Sequence, residues 1–137
     1  MIYEQVPKYP HMLPDEAAIW HRFYVPRARQ FLRVDYDIHV GEGVLPPSGL
    51  PDWIRAVVEA TSKKRIDAVA ESSREIWIIE VKPRGGMSAV GQLLAYEILY
   101  QGQFKPVKPL KKVLVAERMA PDLDLVFAQY DIEVYLV

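Results

Sequence analysis

Apolar residues follow two different periodicities along the chain. They recur every three or four positions from Val90 to Leu99, and they alternate with polar residues from Leu32 to Val40. The first spacing is typical of an amphipathic helix, and the second is typical of a half-buried strand. Because both patterns occur in one short chain, the sequence predicts a mixed α/β domain.

Turn and capping residues set the expected limits of the elements. Pro14 followed by two acidic residues suits a helix start, Glu71–Arg74 suits a hairpin turn, and Pro83–Gly86 is expected to end a strand. The predicted elements are a helix from Pro14 to about Val25, strand 32–40, a short helix 53–60, strands 65–70 and 75–82, a helix from Ser88 to Gly102, strand 112–116, a helix from Pro121 to about Gln129, and strand 132–137. The order αβ(α)ββαβαβ predicts a mixed sheet covered by helices.

Length and composition narrow the class of protein. The chain has 137 residues, half of them hydrophobic, which predicts one globular domain over residues 1–137. Cysteine is absent, so disulfides, thiolate nucleophiles and Cys-ligated metals are excluded. The start has no signal-peptide pattern, and no apolar run is long enough to cross a bilayer. We therefore expect a soluble cytoplasmic protein.

The net charge of −1 hides an uneven distribution. Residues 1–62 carry −2 (6 basic, 8 acidic), residues 63–118 carry +5 (11 basic, 6 acidic), and residues 119–137 carry −4. The basic centre would suit phosphate contacts, whereas Lys63–Arg65 and Lys111–Lys112 could equally solvate strand ends. Charge alone leaves both interpretations open.

Three charged residues stand near the predicted hairpin, where a core position is expected. Asp67 lies on its first strand, and Glu80 and Lys82 lie two apart near the end of its second strand, hence on one face. Two carboxylates can hold a hard divalent cation together with a substrate phosphate. A nearby lysine can orient a water molecule and stabilise negative charge on that phosphate. This set is sufficient for phosphodiester hydrolysis.

The order Asp67, twelve residues, Glu80-Val81-Lys82 resembles the Asp…Glu-X-Lys signature of the PD-(D/E)XK nuclease superfamily. Gln92 and Tyr96 in the next helix are similar to the Gln-X-X-X-Tyr feature of the RecB-type and related branches, which include small phage-like nucleases. The resemblance covers roughly residues 14–118.

The resemblance implies a restriction-endonuclease-like αβββαβ core, here with helix 53–60 inserted and a C-terminal αβ extension. It also implies metal-dependent cleavage of DNA, with Asp67 and Glu80 binding Mg²⁺ or Mn²⁺ and Lys82 and Gln92 completing the catalytic set. Glu16 is similar to the glutamate that many members add as a further metal ligand, and Glu59 on the inserted helix is its rival.

The expected partner is DNA, in a phage, mobile-element or repair setting. Lys63, Lys64, Arg84 and Tyr96 are the residues predicted to contact it. A non-catalytic nuclease-fold module that binds DNA or a protein is the alternative function. Because a chain of this size leaves little room for a separate recognition domain, a homo-oligomer or a larger nucleoprotein complex is a further expectation.

Other polar residues are expected to have no part in the chemistry. His11, His21 and His39 lie on different predicted elements and lack the spacing of metal ligands. Asp35 and Asp37 share a face of the strand 32–40 and resemble a metal pair. Alternation with their apolar neighbours places both in solvent.

Overall fold

The computed structural model describes residues 7–41, 47–60 and 65–137. Its elements, in chain order, are α1 (Pro14–Tyr24), a short 3-10 helix (Val25–Gln30), β1 (Phe31–His39), α2 (Asp52–Ala60), β2 (Arg65–Ser72), β3 (Ile76–Gly85), α3 (Met87–Phe104), β4 (Leu110–Met119), α4 (Asp124–Gln129) and β5 (Ile132–Leu136). The predicted order of helices and strands is confirmed.

The five strands form one sheet in the order β1-β2-β3-β4-β5. β1 pairs with β2 and β2 with β3 in antiparallel orientation, whereas β3 pairs with β4 and β4 with β5 in parallel orientation. Helices α3 and α4 make the two crossovers that parallel pairing requires. The fold is therefore an α/β fold with a mixed sheet, as predicted.

Helices cover both faces of the sheet. On one face, α1 buries Ile19, Trp20 and Phe23 against β2, β3 and β4. On the other face, α3 packs with α2 and α4. Burial of this large apolar surface is the main stabilising contribution to the fold. No helix in the described ranges is long and apolar enough to span a membrane.

Strand β3 does not end at Pro83, contrary to the prediction. It continues to Gly85, and its register with β4 runs from Ile76 opposite Leu110 to Gly85 opposite Met119. Pairing with β2 stops earlier, at Ala68 and Ile79. Beyond that point β4 is the one described strand that pairs with β3, so the missing N–H of proline is tolerated there as on an edge strand.

The helix limits also differ from the prediction. Helix α3 starts at Met87 and passes through Gly102 to Phe104, and Lys105 ends it in the left-handed conformation, with φ of 46°. Helix α4 starts at Asp124, three residues after Pro121. Gly102 and Pro121 indicated roughly where α3 ends and α4 begins, but tertiary packing determined the terminal residues of both helices.

Asp37 does not face solvent, contrary to the prediction. Its φ of 53° interrupts the alternation of β1, and its side chain is 14% exposed. The carboxylate contacts His11 Nε2 at 2.9 Å, His39 Nε2 at 3.4 Å and Arg65 Nε at 3.5 Å. A local backbone conformation that periodicity cannot reveal thus joins Asp37 to two of the histidines and to Arg65.

Several basic residues of the central segment form ion pairs within the chain. Lys112 is buried, and its Nζ bonds both carboxylate oxygens of Glu97 on α3 at 3.1 Å. Lys111 lies 4.0 Å from the centre of the Trp77 ring and pairs with Glu133. Lys111 and Lys112 are therefore engaged in contacts within the chain. Neither of the two interpretations from the sequence, phosphate contact or solvation of a strand end, describes them.

Removing the partner of Lys112 is expected to destabilise the fold. Glu97→Ala would leave a buried ammonium group without its carboxylate, which should lower the free energy of unfolding by about 2–3 kcal/mol. Urea unfolding measures this change. In the double variant Glu97→Ala/Lys112→Met, most of the lost stability should return; an equal loss in both variants would show that the ion pair is not the cause.

Candidate active site

Asp67 and Glu80 face each other where two strands separate. They occupy the next positions after Ala68 and Ile79, the last paired residues of β2 and β3. Asp67 Oδ2 accepts a hydrogen bond of 2.8 Å from the backbone N–H of Val81. The side chain thus takes a donor on β3 that β2 no longer pairs with, and this bond fixes the carboxylate beside Glu80.

Both carboxyl groups are poorly solvated, and this changes their acidity. Burial raises the pKa of Asp67 to about 6, while the Val81 N–H bond and the charge of Lys82 oppose the increase. Burial, followed by the charge of Asp67, raises the pKa of Glu80 well above its ordinary value. Like charges in a low-dielectric site disfavour double ionisation. A cation placed between the carboxylates would remove that penalty.

Glu16, rather than Glu59, lies close to the pair. The charge of Glu16 contributes to the raised pKa of both Asp67 and Glu80. Its Oε1 accepts a hydrogen bond of 2.9 Å from the Leu13 N–H, which holds it at the start of α1. Glu59 lies on an exposed part of α2. The structure therefore favours Glu16 between the two predicted candidates.

Helix α3 carries the other two predicted polar residues, Gln92 and Tyr96. Glu80 Oε2 and Gln92 Oε1 are buried and have no hydrogen-bond partner in the described ranges. Tyr96 lies one turn after Gln92, and burial together with the charges of Glu80 and Asp67 raises its pKa. Unsatisfied buried oxygens are rare in folded proteins and call for an explanation such as an ion or water.

The donor set is compatible with Mg²⁺ or Mn²⁺. Within the described ranges, no group of three or more His, Asp or Glu residues is arranged to hold a metal ion. Hard divalent cations need fewer protein ligands than that, because water and substrate phosphate complete their coordination. The two carboxylates of Asp67 and Glu80, with an orphaned oxygen on Glu80, fit such an ion.

Lys82 follows Glu80 by two residues on β3 and is half-buried. Its charge lowers the pKa of both carboxyl groups, so its ammonium group lies near them. It forms no salt bridge with a residue that the structure describes. The structure thus brings Asp67, Glu80 and Lys82 together at one place, with the charge of Glu16 close to them. Gln92 lies on α3, which packs on the face of the sheet opposite α1.

The residues predicted to contact DNA have different positions. Arg84 is exposed near the end of β3. Lys63 and Lys64 lie outside the described residues. Tyr96 is 1% exposed and packs in the core under α3, so the prediction that it contacts DNA is wrong for this structure. The spacing of the apolar residues gave the helix face on which Tyr96 lies, but it could not show how deeply the side chain is buried.

A cleft of about 320 Å³ lies elsewhere, against β1, β2 and the last turns of α3. Its two carboxylates are already paired: Asp35 with Arg33 at 2.7 Å and Glu71 with Lys108 at 3.1 Å. The carboxylates of the site at Asp67 have no such cationic partners at ion-pair distance in the described chain. The chemistry therefore favours the strand junction over the larger cleft.

The site lies in an α/β domain with one mixed five-stranded sheet. A solved structure of the endonuclease EndoMS in complex with double-stranded DNA is similar to the chain, with a TM-score of 0.51 and 16% sequence identity. The match covers 98% of this chain and 48% of that chain, so this protein spans about half the length of its neighbour. No family model and no curated protein matches the sequence. The likeness establishes the fold.

The raised pKa of Asp67 predicts how stability varies with pH. Between the ordinary value of 3.8 and about 6, the folded state holds a proton that the unfolded state releases. The free energy of unfolding of the metal-free protein should therefore fall as the pH rises through this window. Asp67→Asn removes the penalty and should stabilise the protein at pH 8 by an amount on the order of 2 kcal/mol.

Urea unfolding in EDTA at pH 4 and pH 8 measures this difference. At pH 4 the wild type carries a neutral carboxyl group at position 67, so Asn should give nearly the same stability. Asp35→Asn on β1, where the side chain is 39% exposed, is the control and should show no such gain at pH 8. Equal effects of Asp67→Asn at both pH values would contradict the assigned desolvation.

Proposed function

We propose that this protein is a divalent-metal-dependent deoxyribonuclease whose active site is the junction of β2 and β3. The observation that carries the proposal is the pair of half-buried Asp67 and buried Glu80, which lacks a cationic partner at ion-pair distance in the described chain and retains an orphaned oxygen on Glu80. Such a pair is unfavourable for stability, and perturbed carboxyl groups of this kind cluster at functional sites. The Asp…Glu-X-Lys resemblance points to the same residues.

Asp67 and Glu80 would hold Mg²⁺ or Mn²⁺, with water and substrate phosphate completing the coordination. Glu16, whose charge acts on both carboxyl groups, stays a predicted further ligand that would have to move closer to bind the same ion. When bound, the metal ion supplies positive charge to the phosphate and lowers the pKa of a coordinated water. The Val81 N–H keeps Asp67 in place for this task. The raised pKa values of the two carboxyl groups describe the chain without the ion, and the ion would favour their ionised forms.

Lys82 and Gln92 act on the reacting groups. The oxygen of a water molecule attacks phosphorus and gives up one proton to solvent, the bond between phosphorus and the leaving oxygen breaks, and the leaving oxygen takes up one proton, so that the products carry a phosphate and a hydroxyl. The Lys82 ammonium orients the water and stabilises the negative charge that develops on the phosphate oxygens. Gln92 Oε1 is an acceptor without a partner in the described chain, and it accepts a hydrogen bond from that water.

DNA is the proposed substrate. Two observations support this class: the structural neighbour was solved as a complex with double-stranded DNA, and the signature residues resemble those of nucleases that cut DNA. Two basic side chains near the site, Lys82 and Arg84, suit a phosphate backbone.

Incubation with plasmid and with single-stranded DNA tests the proposal. With Mn²⁺ or Mg²⁺ we expect nicked, linear or shortened products, and with EDTA we expect none. Cleavage at an equal rate in EDTA would contradict the metal dependence. Tight DNA binding without cleavage under every metal condition would instead support the alternative, a non-catalytic nuclease-fold module.

A further inference from the structure

The basic residues of the central segment divide into two classes in the structure. Four of them form ion pairs with acidic side chains: Arg65 with Asp37, Lys108 with Glu71, Lys111 with Glu133, and Lys112 with Glu97. Five have no salt bridge in the described chain: Arg74, Lys82, Arg84, Lys105 and Arg118. Only the second class is free to meet an anionic ligand.

The unpaired residues lie at two opposite ends of the sheet. Arg74 is in the turn before β3, and Lys105 follows α3, which returns to that same end. Lys82 and Arg84 lie near the other end of β3, and Arg118 lies near the corresponding end of the parallel strand β4. Lys82, Arg84 and Arg118 are therefore at the same end of the sheet as Asp67 and Glu80.

Arg84 and Arg118 are direct neighbours. The parallel register places Arg84 opposite Arg118, two positions beyond Lys82 opposite Ala116. Both arginines are exposed. Like charges directly opposite each other on neighbouring strands destabilise a sheet. The one acidic residue next to them in sequence, Glu117, pairs instead with Arg22 on α1 at 3.7 Å. The repulsion is left uncompensated within the described chain.

Both arginines are carried by rigid backbone. The Ala120 N–H donates to the Gly85 carbonyl oxygen at 2.8 Å, which ties together the ends of β3 and β4. A Cβ atom at Gly85 would lie 2.6 Å from Leu114 Cδ2 and 2.7 Å from Met119 Sδ, so those side chains pack directly on the glycine. Charged groups on strands are held more precisely than groups on loops.

We propose that Arg84 and Arg118 together bind one backbone phosphate of the DNA strand, next to the phosphate that is cleaved. A phosphate between two guanidinium groups accepts charge-assisted hydrogen bonds from both and removes their repulsion. Arg84 is four residues beyond Glu80, about 13 Å along the strand, which is too far for one phosphate group to reach both positions. This inference rests on the proposed function for the identity of the ligand.

The site would contribute to affinity and to placement of the strand but not to the chemical step. Phosphate contacts position a nucleic acid without reading its sequence. Each neutralised phosphate adds about 0.7 to 0.9 to the slope of log affinity against log salt. If both arginines hold one phosphate, removing both should lower the slope by about that amount and not by twice as much.

The experiment measures DNA binding by the full chain in the Asp67→Asn background, where cleavage does not interfere. Fluorescence anisotropy with a labelled oligonucleotide, with Ca²⁺ present and NaCl varied, gives affinity and salt slope. We expect Arg84→Gln and Arg118→Gln each to weaken binding about 5- to 20-fold at low salt. The double variant should lose less than the product of the two single effects, because the arginines share one ligand.

Arg74→Gln, in the turn before β3, is the matched control, since it removes the same charge at the opposite end of the sheet. Circular dichroism and the melting temperature verify that each variant is folded. Arg74→Gln should melt as the parent does, whereas Arg84→Gln and Arg118→Gln should melt at the same temperature or slightly above it, because each removes the repulsion between the two arginines. Losses equal to that of Arg74→Gln, or a salt slope unchanged in the double variant, would overturn the inference. If the loss of affinity in the double variant equalled the product of the two single losses, the claim that both arginines bind one phosphate would be overturned.

This outcome is separable from that of the proposed function. Specific loss of binding in the arginine variants would support the phosphate site even if the wild type proved unable to cleave DNA. Cleavage by the wild type together with unchanged binding in the arginine variants would leave the proposed function standing and remove the phosphate site.

Discussion

Asp67→Asn is expected to reduce the rate of DNA cleavage by about 10³-fold or more while the protein remains folded. The substitution keeps the size of the side chain and an oxygen that can accept the Val81 N–H bond. It removes the negative charge that the metal ion requires, and loss of such electrostatic stabilisation costs several kcal/mol in the transition state. Glu80→Gln should have an effect of the same size.

The measurement is single-turnover cleavage of a labelled DNA strand in Mg²⁺ and in Mn²⁺. Asp35→Asn and Glu59→Gln remove one carboxylate each at exposed positions and should retain wild-type rates. Because Asp67→Asn is also expected to stabilise the metal-free protein at pH 8, we do not expect a loss of activity to come from unfolding. Wild-type cleavage rates in Asp67→Asn or Glu80→Gln would contradict the assignment of these residues to the active site.

Lys82→Met is expected to lower the rate constant of the chemical step by about 10²- to 10³-fold, the range for one oriented donor in an active site. Its ammonium lies near both carboxyl groups and forms no salt bridge in the described chain, so its removal leaves no unpaired acid elsewhere. Methionine keeps the length of the apolar stem. DNA affinity should change by less than about 10-fold, because other phosphate contacts remain.

Comparison of the single-turnover rate with the dissociation constant separates the two effects. Lys105→Met at the opposite end of the sheet is the control and should leave the rate constant unchanged. A Lys82→Met variant that binds DNA about 10³-fold less tightly but cleaves saturating DNA at the wild-type rate would show that Lys82 binds the substrate and has no catalytic role.

The sequence predicted the order of elements because helix and strand periods are local properties. The alternation of β1 and the apolar stripe of α3 both reflect burial of one face. Strand and helix ends were harder to predict. Proline has no backbone N–H to donate, so Pro83 by itself predicts the end of a strand. It is tolerated within β3 because β2 has already separated from β3 at that point. Which neighbour a strand has at a given residue is a tertiary property.

The grouping of Asp67, Glu80 and Lys82 could be predicted because a hairpin fixes their relative positions. The contribution of Glu16 depends on how α1 packs against the sheet, and the sequence left it open against Glu59. Arg118 was missed altogether. Its proximity to Arg84 arises from the parallel register of β3 and β4, and no local signal in the sequence gives that register. Tyr96 and Asp37 failed as predictions because depth and a left-handed backbone conformation are not periodic features.

Binding of Mn²⁺ to the protein, measured by isothermal titration calorimetry in the absence of DNA, tests the central claim most directly. The paired carboxylates predict saturable binding in the wild type at pH 8. The affinity should drop at least about 10-fold in Asp67→Asn and in Glu80→Gln, and it should be unchanged in Asp35→Asn. Mn²⁺ binding of equal strength in the wild type and both site variants would contradict the assignment of Asp67 and Glu80 as metal ligands.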